Sequence, residues 1–159
     1  MQDVPDNLAL ILDHVGDGVT VQGPDGQLVY ANAAGAQALG FASAAELLRT
    51  PLAEIVGKFA IFDESGLPFP LERLPGRRAL QGEPEQSVTV RFHIHATGEE
   101  RWALIRSSPV FDASGQVNLA VNVWQDVTEH KRDDDVQRFL AEAGEALTAS
   151  LDVEATLAN

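Results

Sequence analysis

The chain contains no cysteine among its 159 residues. Disulfides, thiolate nucleophiles and cysteine-based zinc sites are therefore excluded, and so is flavin photochemistry that forms a bond to a cysteine sulfur. The sequence also lacks a Walker-type glycine loop, a Gly-x-Ser-x-Gly turn and a His-Glu-x-x-His motif. Because such motifs hold nucleophiles, phosphates or catalytic metals, we expect no catalytic residue and no enzymatic activity in this chain itself.

Positive charge is scarce as well. Lysine and arginine total 11 against 24 aspartate and glutamate residues, which gives a net charge of −13 and a pI near 4.5. A surface of this sign repels nucleic-acid phosphates and anionic lipids, so neither is expected as a partner. No apolar run approaches the roughly 18 residues of a membrane span, and the N-terminus lacks the parts of a signal peptide. We therefore expect a cytoplasmic protein without membrane insertion.

Apolar spacing and turn signals divide the chain into helices and strands. Helical spacing predicts an N-terminal helix within residues 1–15. A Gly-Pro-Asp-Gly turn at residues 23–26 joins the first two strands into a hairpin, and the last three strands form a meander. Strands are predicted over residues 19–22, 27–31, 86–96, 100–111 and 116–125. Short helices are predicted over residues 33–39, 44–48, 51–56 and 71–80, with an irregular loop over residues 57–70.

This order of elements predicts an α+β fold. Five antiparallel strands form one sheet, short helices lie on one face, and a long helix follows the last strand. The helices between the second and third strands must cross one face of the sheet. Sheet and helices are therefore expected to enclose an interior.

Four segments resemble the PAS sensory domain in their order and spacing. They are Asp17 to Val21 with Asp25 to Asn32, Thr97 to Trp102, Ser108 to Gly115, and Asp126 to Arg132. The resemblance covers residues 5–132 and implies a PAS fold whose sheet cups a small-molecule pocket. On this basis we divide the chain into an N-terminal helix at 1–15, a PAS domain at 16–128 and a signalling helix at 129–159.

The resemblance also implies which residues face the pocket. These are Asn32, Phe59, Phe62, Leu80, His93, Ala103, Ile105, Asn122 and Trp124. Strand alternation leaves two registers open for the third strand, because Arg91, His93 and His95 share one face and Phe92 and Ile94 the other. A slip of one residue exchanges the face that lines the pocket and the face that lies opposite.

No pattern in the sequence indicates a particular cofactor. Haem-binding relatives usually take their axial histidine from the helix before the third strand, and residues 71–80 contain none. A metal held by His93 and His95 would lack a third ligand. His130 lies close to the sheet and lacks the His-Glu-x-x-x-Pro pattern of a phosphoacceptor. A small-molecule ligand is expected, but its identity is left open.

The junction after the last strand is a predicted point of signal transmission. A strand-like run ends at Asp126, and a charged, helix-like run begins at Thr128. The short side chains of these two residues can hydrogen-bond to nearby backbone or to each other. By resemblance to PAS domains, the Asp-x-Thr segment passes changes in the sheet to the helix.

The signalling helix carries a spacing typical of a coiled coil. Apolar residues recur four and three apart at Val136, Leu140, Ala143 and Leu147, which predicts a homodimer over about two heptads. The alternative is an amphipathic helix packed on its own sheet. Asp152 is predicted to cap a further helix, and residues 142–157 resemble the opening of a GAF-type domain. A parent bacterial multi-domain sensor would then end in an effector, such as a histidine kinase, a serine phosphatase or a diguanylate cyclase.

Two functions follow. In the first, the chain is a sensory input module that binds a small ligand, or relays a conformational change, through its C-terminal helix to an effector. In the second, it is a constitutive dimerisation or protein-interaction module without ligand. The interior distinguishes them: a pocket favours the first, whereas aromatic side chains that fill the interior favour the second. The aromatic residues in question are Phe59, Phe62, Phe92 and Trp124.

Overall fold

The computed structural model describes residues 16–158. The helix predicted for residues 1–15 lies outside the described residues. The chain divides into two compact units, one that ends at Asp126 and one that starts at Val127. The first unit contains a sheet and short helices, and the second is a single long helix.

The described part of the first unit contains a six-stranded antiparallel sheet. Its strands are β1 (Gly18–Gln22), β2 (Leu28–Ala31), β3 (Phe59–Phe62), β4 (Gln86–Ile94), β5 (Glu100–Phe111) and β6 (Val117–Asp126). Their order across the sheet is β2-β1-β6-β5-β4-β3. The N-terminal hairpin therefore joins the meander through the β1–β6 pair, which sets Thr20 opposite Asn122.

The predicted α+β PAS fold is confirmed, with one more strand than expected. Residues 59–62 were predicted to lie in an irregular loop, but they form the edge strand β3 and pair with β4. Polar and apolar residues do not alternate in β3 because both of its faces are covered. Phe59 and Ile61 pack against the cluster around Phe92, while the Arg91 guanidinium lies 5.0 Å from the ring centroid of Phe62 on the other face.

Short helices follow β2 and β3 and cross one face of the sheet. They are α1 (Ala33–Ala38), α2 (Ala44–Arg49), α3 (Leu52–Gly57), a 3₁₀ turn (Leu71–Arg73) and α4 (Pro75–Leu80). Ser43 caps α2, since its hydroxyl accepts a hydrogen bond from the Glu46 backbone N–H at 3.1 Å. The helix predicted over residues 71–80 is divided before Pro75, which lacks a backbone N–H and is suited to start a helix.

Two apolar clusters form the core between the sheet and these helices. One contains Ala31, Ala36, Leu39, Phe41, Leu47 and Ile55 and lies under α1, α2 and α3. The other contains Val90, Phe92 and Ile105, against which Phe59, Ile61, Leu74 and Trp124 pack. The first cluster holds the helices after β2, and the second covers the centre of the meander.

The second unit is one continuous helix, α5 (Thr128–Leu157). The helix start predicted at Asp152 is wrong, because residues 145–157 contain no glycine or proline to interrupt the helix. The Asp152 carbonyl instead accepts a hydrogen bond from the Thr156 hydroxyl at 2.8 Å. The apolar side chains of α5 are exposed, including Leu140 at 61% and Leu147 at 66%. Within residues 16–158, no helix is both long enough and apolar enough to cross a membrane.

Candidate functional site

A cavity of about 90 Å³ lies between the sheet and the short helices. Its walls come from both apolar clusters, with Leu39 and Ile55 on the helix side and Phe92 and Ile105 on the sheet. Four polar residues complete its lining: Thr20, Gln22, Arg77 and Asn122. The cavity is therefore largely apolar, and its polar groups come from β1, β6 and α4.

Asn122 is the centre of a buried hydrogen-bonded group, here called the Asn122 cluster, formed by Thr20, Gln22, Ser107, Asn122 and Trp124. The Ser107 hydroxyl donates to Asn122 Oδ1 at 2.6 Å. Asn122 Nδ2 donates to Thr20 Oγ1 at 3.3 Å and to Gln22 Oε1 at 3.4 Å. The Trp124 indole N–H donates to Thr20 Oγ1 at 3.1 Å. Side chains from three strands thus share one network.

Burial of these polar groups needs a structural reason. Thr20 and Ser107 are 1% exposed and Asn122 is 4% exposed. A buried polar group without a partner costs on the order of 1–3 kcal/mol, so the mutual hydrogen bonds offset that cost. The partners meet because the register places Thr20 and Ser107 on either side of Asn122 on neighbouring strands.

Helix α4 lies directly on the Asn122 cluster through Gly76. A β-carbon at this position would lie 2.6 Å from Asn122 Oδ1 and would also collide with Gln22 Oε1. Any residue other than glycine would require the Asn122 and Gln22 side chains to move. Pro75 and Ala79 on the same helix are also buried. The small residues of α4 therefore hold Arg77, the next residue after Gly76, beside the polar end of the cavity.

Arg77 is the only charged residue among the described residues that line the cavity. Its side chain is exposed and makes no ion pair or side-chain hydrogen bond within residues 16–158. The neighbouring arginines differ. Arg78 Nε lies 2.7 Å from the Glu83 carboxylate, and Arg73 lies 5.8 Å from the ring centroid of Phe69. Arg77 is thus the cation available at the rim of the cavity.

The structure places four of the predicted pocket residues in the cavity lining: Phe59, Ile105, Asn122 and Trp124. Asn32, Phe62, Leu80, His93 and Ala103 do not line it. Asn32 is fully buried, but its Oδ1 accepts hydrogen bonds from the backbone N–H groups of Val19 and Gly35. This side chain ties α1 to β1 and has a structural role.

The expectation that His93 faces the cavity is corrected. Val90 pairs with Ala103, and Val90 and Phe92 face the helices, so His93 lies on the opposite face of β4. There, His93 Nδ1 is 3.8 Å from the Glu100 carboxylate, and Arg91 Nη1 is 3.2 Å from it. The register follows from burial of the two apolar side chains. No group of three histidine, aspartate or glutamate residues in the described part of the chain is placed to hold a metal.

A second cavity of about 240 Å³ lies on the other side of Trp124. Ala103, Arg101 and Asp126 line it, together with Gly18 on β1. Four residues line both cavities and separate them: Leu39, Phe59, Phe92 and Trp124. The Arg101 side chain bonds to Glu99, which raises the pKa of the guanidinium further.

The sequence does not predict that Thr20, Gln22 and Arg77 line the cavity. Thr20 and Gln22 were recognised as strand residues, but their contact with Asn122 joins positions about one hundred residues apart. No local pattern reveals such a pairing. The signal for Arg77 was the glycine inside a predicted helix, because a helical glycine often marks a close approach of backbone to another group.

The described residues form an α+β domain in which a six-stranded antiparallel sheet and short helices enclose a cavity, and the sequence of this domain identifies the family. Residues 12–132 match the model of a family described as the PAS fold. The chain therefore belongs to the PAS family. No curated protein matches the chain.

Several solved structures are similar to this chain. An RNA-binding light-oxygen-voltage receptor is 29% identical with a TM-score of 0.62, and the match covers 87% of this chain and 37% of the receptor. A PAS domain from Colwellia psychrerythraea is 17% identical with a TM-score of 0.57, covering 80% of this chain and 99% of that one. A sensory box histidine kinase/response regulator from Burkholderia thailandensis is 20% identical with a TM-score of 0.56, covering 88% and 98%. The last two support the fold alone.

Proposed function

We propose that this chain is a sensory input module of a multi-domain bacterial receptor. A small ligand binds in the 90 Å³ cavity, and the resulting change passes along β6 to α5 and on to an effector. The observation that carries the proposal is the cavity itself, because an interior built only for stability has no need of a void beside a buried polar network. The proposed effector is a histidine kinase, a serine phosphatase or a diguanylate cyclase, and the proposed neighbouring domain is of the GAF type.

The position of Trp124 supports a route from the cavity to the junction. Trp124 lines both cavities, and Asp126, two residues later on β6, lines the second. Residues two apart on a strand share a face, so a shift of the indole alters the surroundings of Asp126. Asp126 and Thr128 therefore stay the proposed transmission residues.

One similar structure supports the same class of function. The light-oxygen-voltage receptor is the similar structure with the highest identity quoted above, and it is described as a receptor that binds RNA. Its description cannot be transferred in full, since this chain has no cysteine for a flavin adduct and a net charge of −13. We therefore propose a sensory role for this chain but not RNA binding.

We further propose that the module acts as a homodimer in the cytoplasm. Val136, Leu140 and Leu147 are 56%, 61% and 66% exposed, and Ala143 lies on the same seam. Such a row of apolar side chains on one helix face is typical of a coiled-coil interface. A second copy of α5 would cover it.

Native mass spectrometry of freshly purified protein tests the proposal. We expect the native spectrum to show a mass larger than that of the polypeptide alone, the difference being the mass of the ligand. This added mass should be lost when the same sample is denatured, because the ligand is not covalently bound. Protein that carries no ligand, and whose stability is unchanged by any of a library of small metabolites, would contradict ligand sensing.

The alternative is a constitutive dimerisation module. It is favoured by the size of the cavity, since 90 Å³ is well below the roughly 300 Å³ at which ordinary ligand pockets begin. On this alternative α5 pairs in the same way, but the interior binds nothing. A dimer with no ligand in the native spectrum would support it.

A further inference from the structure

We propose that the cavity selects a short-chain monocarboxylate, with its carboxylate between Arg77 and the Asn122 cluster and its alkyl chain against the apolar walls. The proposal rests on the ligand-binding role proposed above and specifies the class of ligand. It follows from three observations. Arg77 at the rim of the cavity has no ion-pair partner within residues 16–158, the Asn122 amide N–H groups make only long hydrogen bonds, and the cavity is small and mostly apolar.

The first observation concerns charge. Acidic residues outnumber basic ones 24 to 11 in this chain, and the arginines on either side of Arg77 each have a partner. Arg77 has none within residues 16–158, although it lines a cavity. A guanidinium group offers paired N–H donors that match the two oxygens of a carboxylate. An anion is therefore the ligand that this rim attracts.

The second observation concerns the orientation of the Asn122 amide. The Ser107 hydroxyl donates to Oδ1 at 2.6 Å, which leaves the Nδ2 hydrogens directed toward Thr20 and Gln22. Both bonds made by Nδ2, at 3.3 and 3.4 Å, are longer than the usual range of about 2.7–3.2 Å. A carboxylate oxygen would be a stronger acceptor than either partner. The buried amide can thus supply a second donor to the same anion.

The third observation concerns size and polarity. A cavity of about 150 Å³ is known to hold benzene, so about 90 Å³ suits a molecule of only a few carbon atoms. Beyond the polar end the walls are apolar, including Ile55, Phe92 and Ile105. A second carboxylate would be buried there without a partner, at a large cost. The volume therefore favours a monocarboxylate over a dicarboxylate or a larger cofactor.

Trp124 provides a reporter inside the cavity. The chain contains two tryptophans, and Trp102 does not line this cavity. In a Trp102→Phe background, the fluorescence of Trp124 should change saturably on titration with sodium propionate, whereas sodium chloride at the same ionic strength should leave it unchanged. Propionamide has the same shape as propionate but no charge. It should bind at least about tenfold more weakly, because the loss of one charge-assisted hydrogen bond lowers affinity by about this factor.

Matched arginine variants assign the effect to the cavity. In the same background, Arg77→Gln should weaken propionate binding about tenfold or more and bring it close to that of propionamide. Arg73→Gln removes the same charge four residues earlier, in the 3₁₀ turn and outside the lining, and should change the affinity less than about twofold.

Three results would overturn the carboxylate proposal: no saturable response to propionate, equal binding of propionate and propionamide, or an Arg77→Gln variant with unchanged affinity. Ligand sensing itself would still stand if native mass spectrometry found a neutral bound molecule. An empty native spectrum together with no response to metabolites would contradict both proposals.

Discussion

Gly76 determines how closely α4 approaches the sheet. Its backbone lies against the Asn122 and Gln22 side chains, where a β-carbon would be 2.6 Å from Asn122 Oδ1. Asn122 cannot easily move away, because the Ser107 hydroxyl holds it from the other side. A single hydrogen atom in place of a side chain at residue 76 thus allows both the polar network and the position of Arg77.

Gly76→Ala is expected to destabilise the fold. The added methyl group must displace buried polar atoms, and overpacking of this kind costs about 1–3 kcal/mol in the free energy of unfolding. Chemical denaturation followed by circular dichroism measures the change. Gly57→Ala is the matched control, since nothing lies within 4 Å of that position and it ends a helix. Equal stability of the two variants would show that α4 is free to shift.

Two turns of the sequence Asp-x-Ser-Gly use the same chemistry. The Asp112 carboxylate accepts hydrogen bonds from the Ser114 hydroxyl and from the Gln116 backbone N–H, and these lower the pKa of Asp112 below its ordinary value of 3.8. Asp63 is held in the same way by Ser65 and Leu67, with the same direction of pKa shift. Both carboxylates therefore favour the folded state only while they are ionised.

Asp112→Asn should lower stability in a way that depends on pH. A pKa lowered by folding contributes stability that is present above the unfolded pKa and is lost as the pH falls through the folded pKa. The melting temperature of the variant should therefore fall below that of the wild type at pH 6, and the difference should shrink at about pH 2.5. Asp135→Asn on exposed α5 serves as the control. A difference that stayed constant across this range would exclude the carboxylate as its source.

At the scale of elements, helix starts could be predicted from neighbouring residues, whereas the pairing of distant strands could not. The caps at Asn32 and Ser43 bond to backbone N–H groups only three residues away, and both helices begin at the predicted residues, 33 and 44. Strand β3 was missed because Phe59–Phe62 is covered on both faces and shows no alternation. The site was only partly predictable for the same reason. Its polar end depends on the pairing of β1 with β6, which local sequence does not encode.

The exposed seam of α5 leads to a prediction about assembly. Leu140→Asp places a charge in the proposed coiled-coil interface, so the chain should shift from dimer to monomer in sedimentation velocity experiments. Ala141→Asp adds the same charge next to the seam on an exposed position and should leave the dimer intact. A Leu140→Asp variant that sediments like the wild type would remove α5 from the interface.

At the scale of the whole molecule, the sheet and α5 are separate units that meet at residues 126 and 127. A sensory role requires coupling across this boundary, because the cavities lie entirely within the first unit. Asp126 ends β6 and lines the second cavity, which makes it the residue of the first unit nearest in sequence to α5.

Asp126→Ala should uncouple the two units in the full-length receptor. We expect altered effector output with a melting temperature close to that of the wild type, since Asp126 is exposed at the end of a strand. Asp135→Ala removes a carboxylate from the exposed start of α5 and should leave the output unchanged. Wild-type output from the Asp126→Ala receptor would argue against a role for this residue in transmission.

The strand order has a further consequence for how the protein is made. Because β1 pairs with β6, the first hairpin cannot join the sheet until nearly the whole domain has left the ribosome. Contacts between strands about one hundred residues apart also slow folding, since the loop between them must close first. Residues 128–157 are synthesised immediately afterwards. The sheet of the first unit can therefore be completed only after β6 has emerged, and truncation within β6 should prevent folding of this unit.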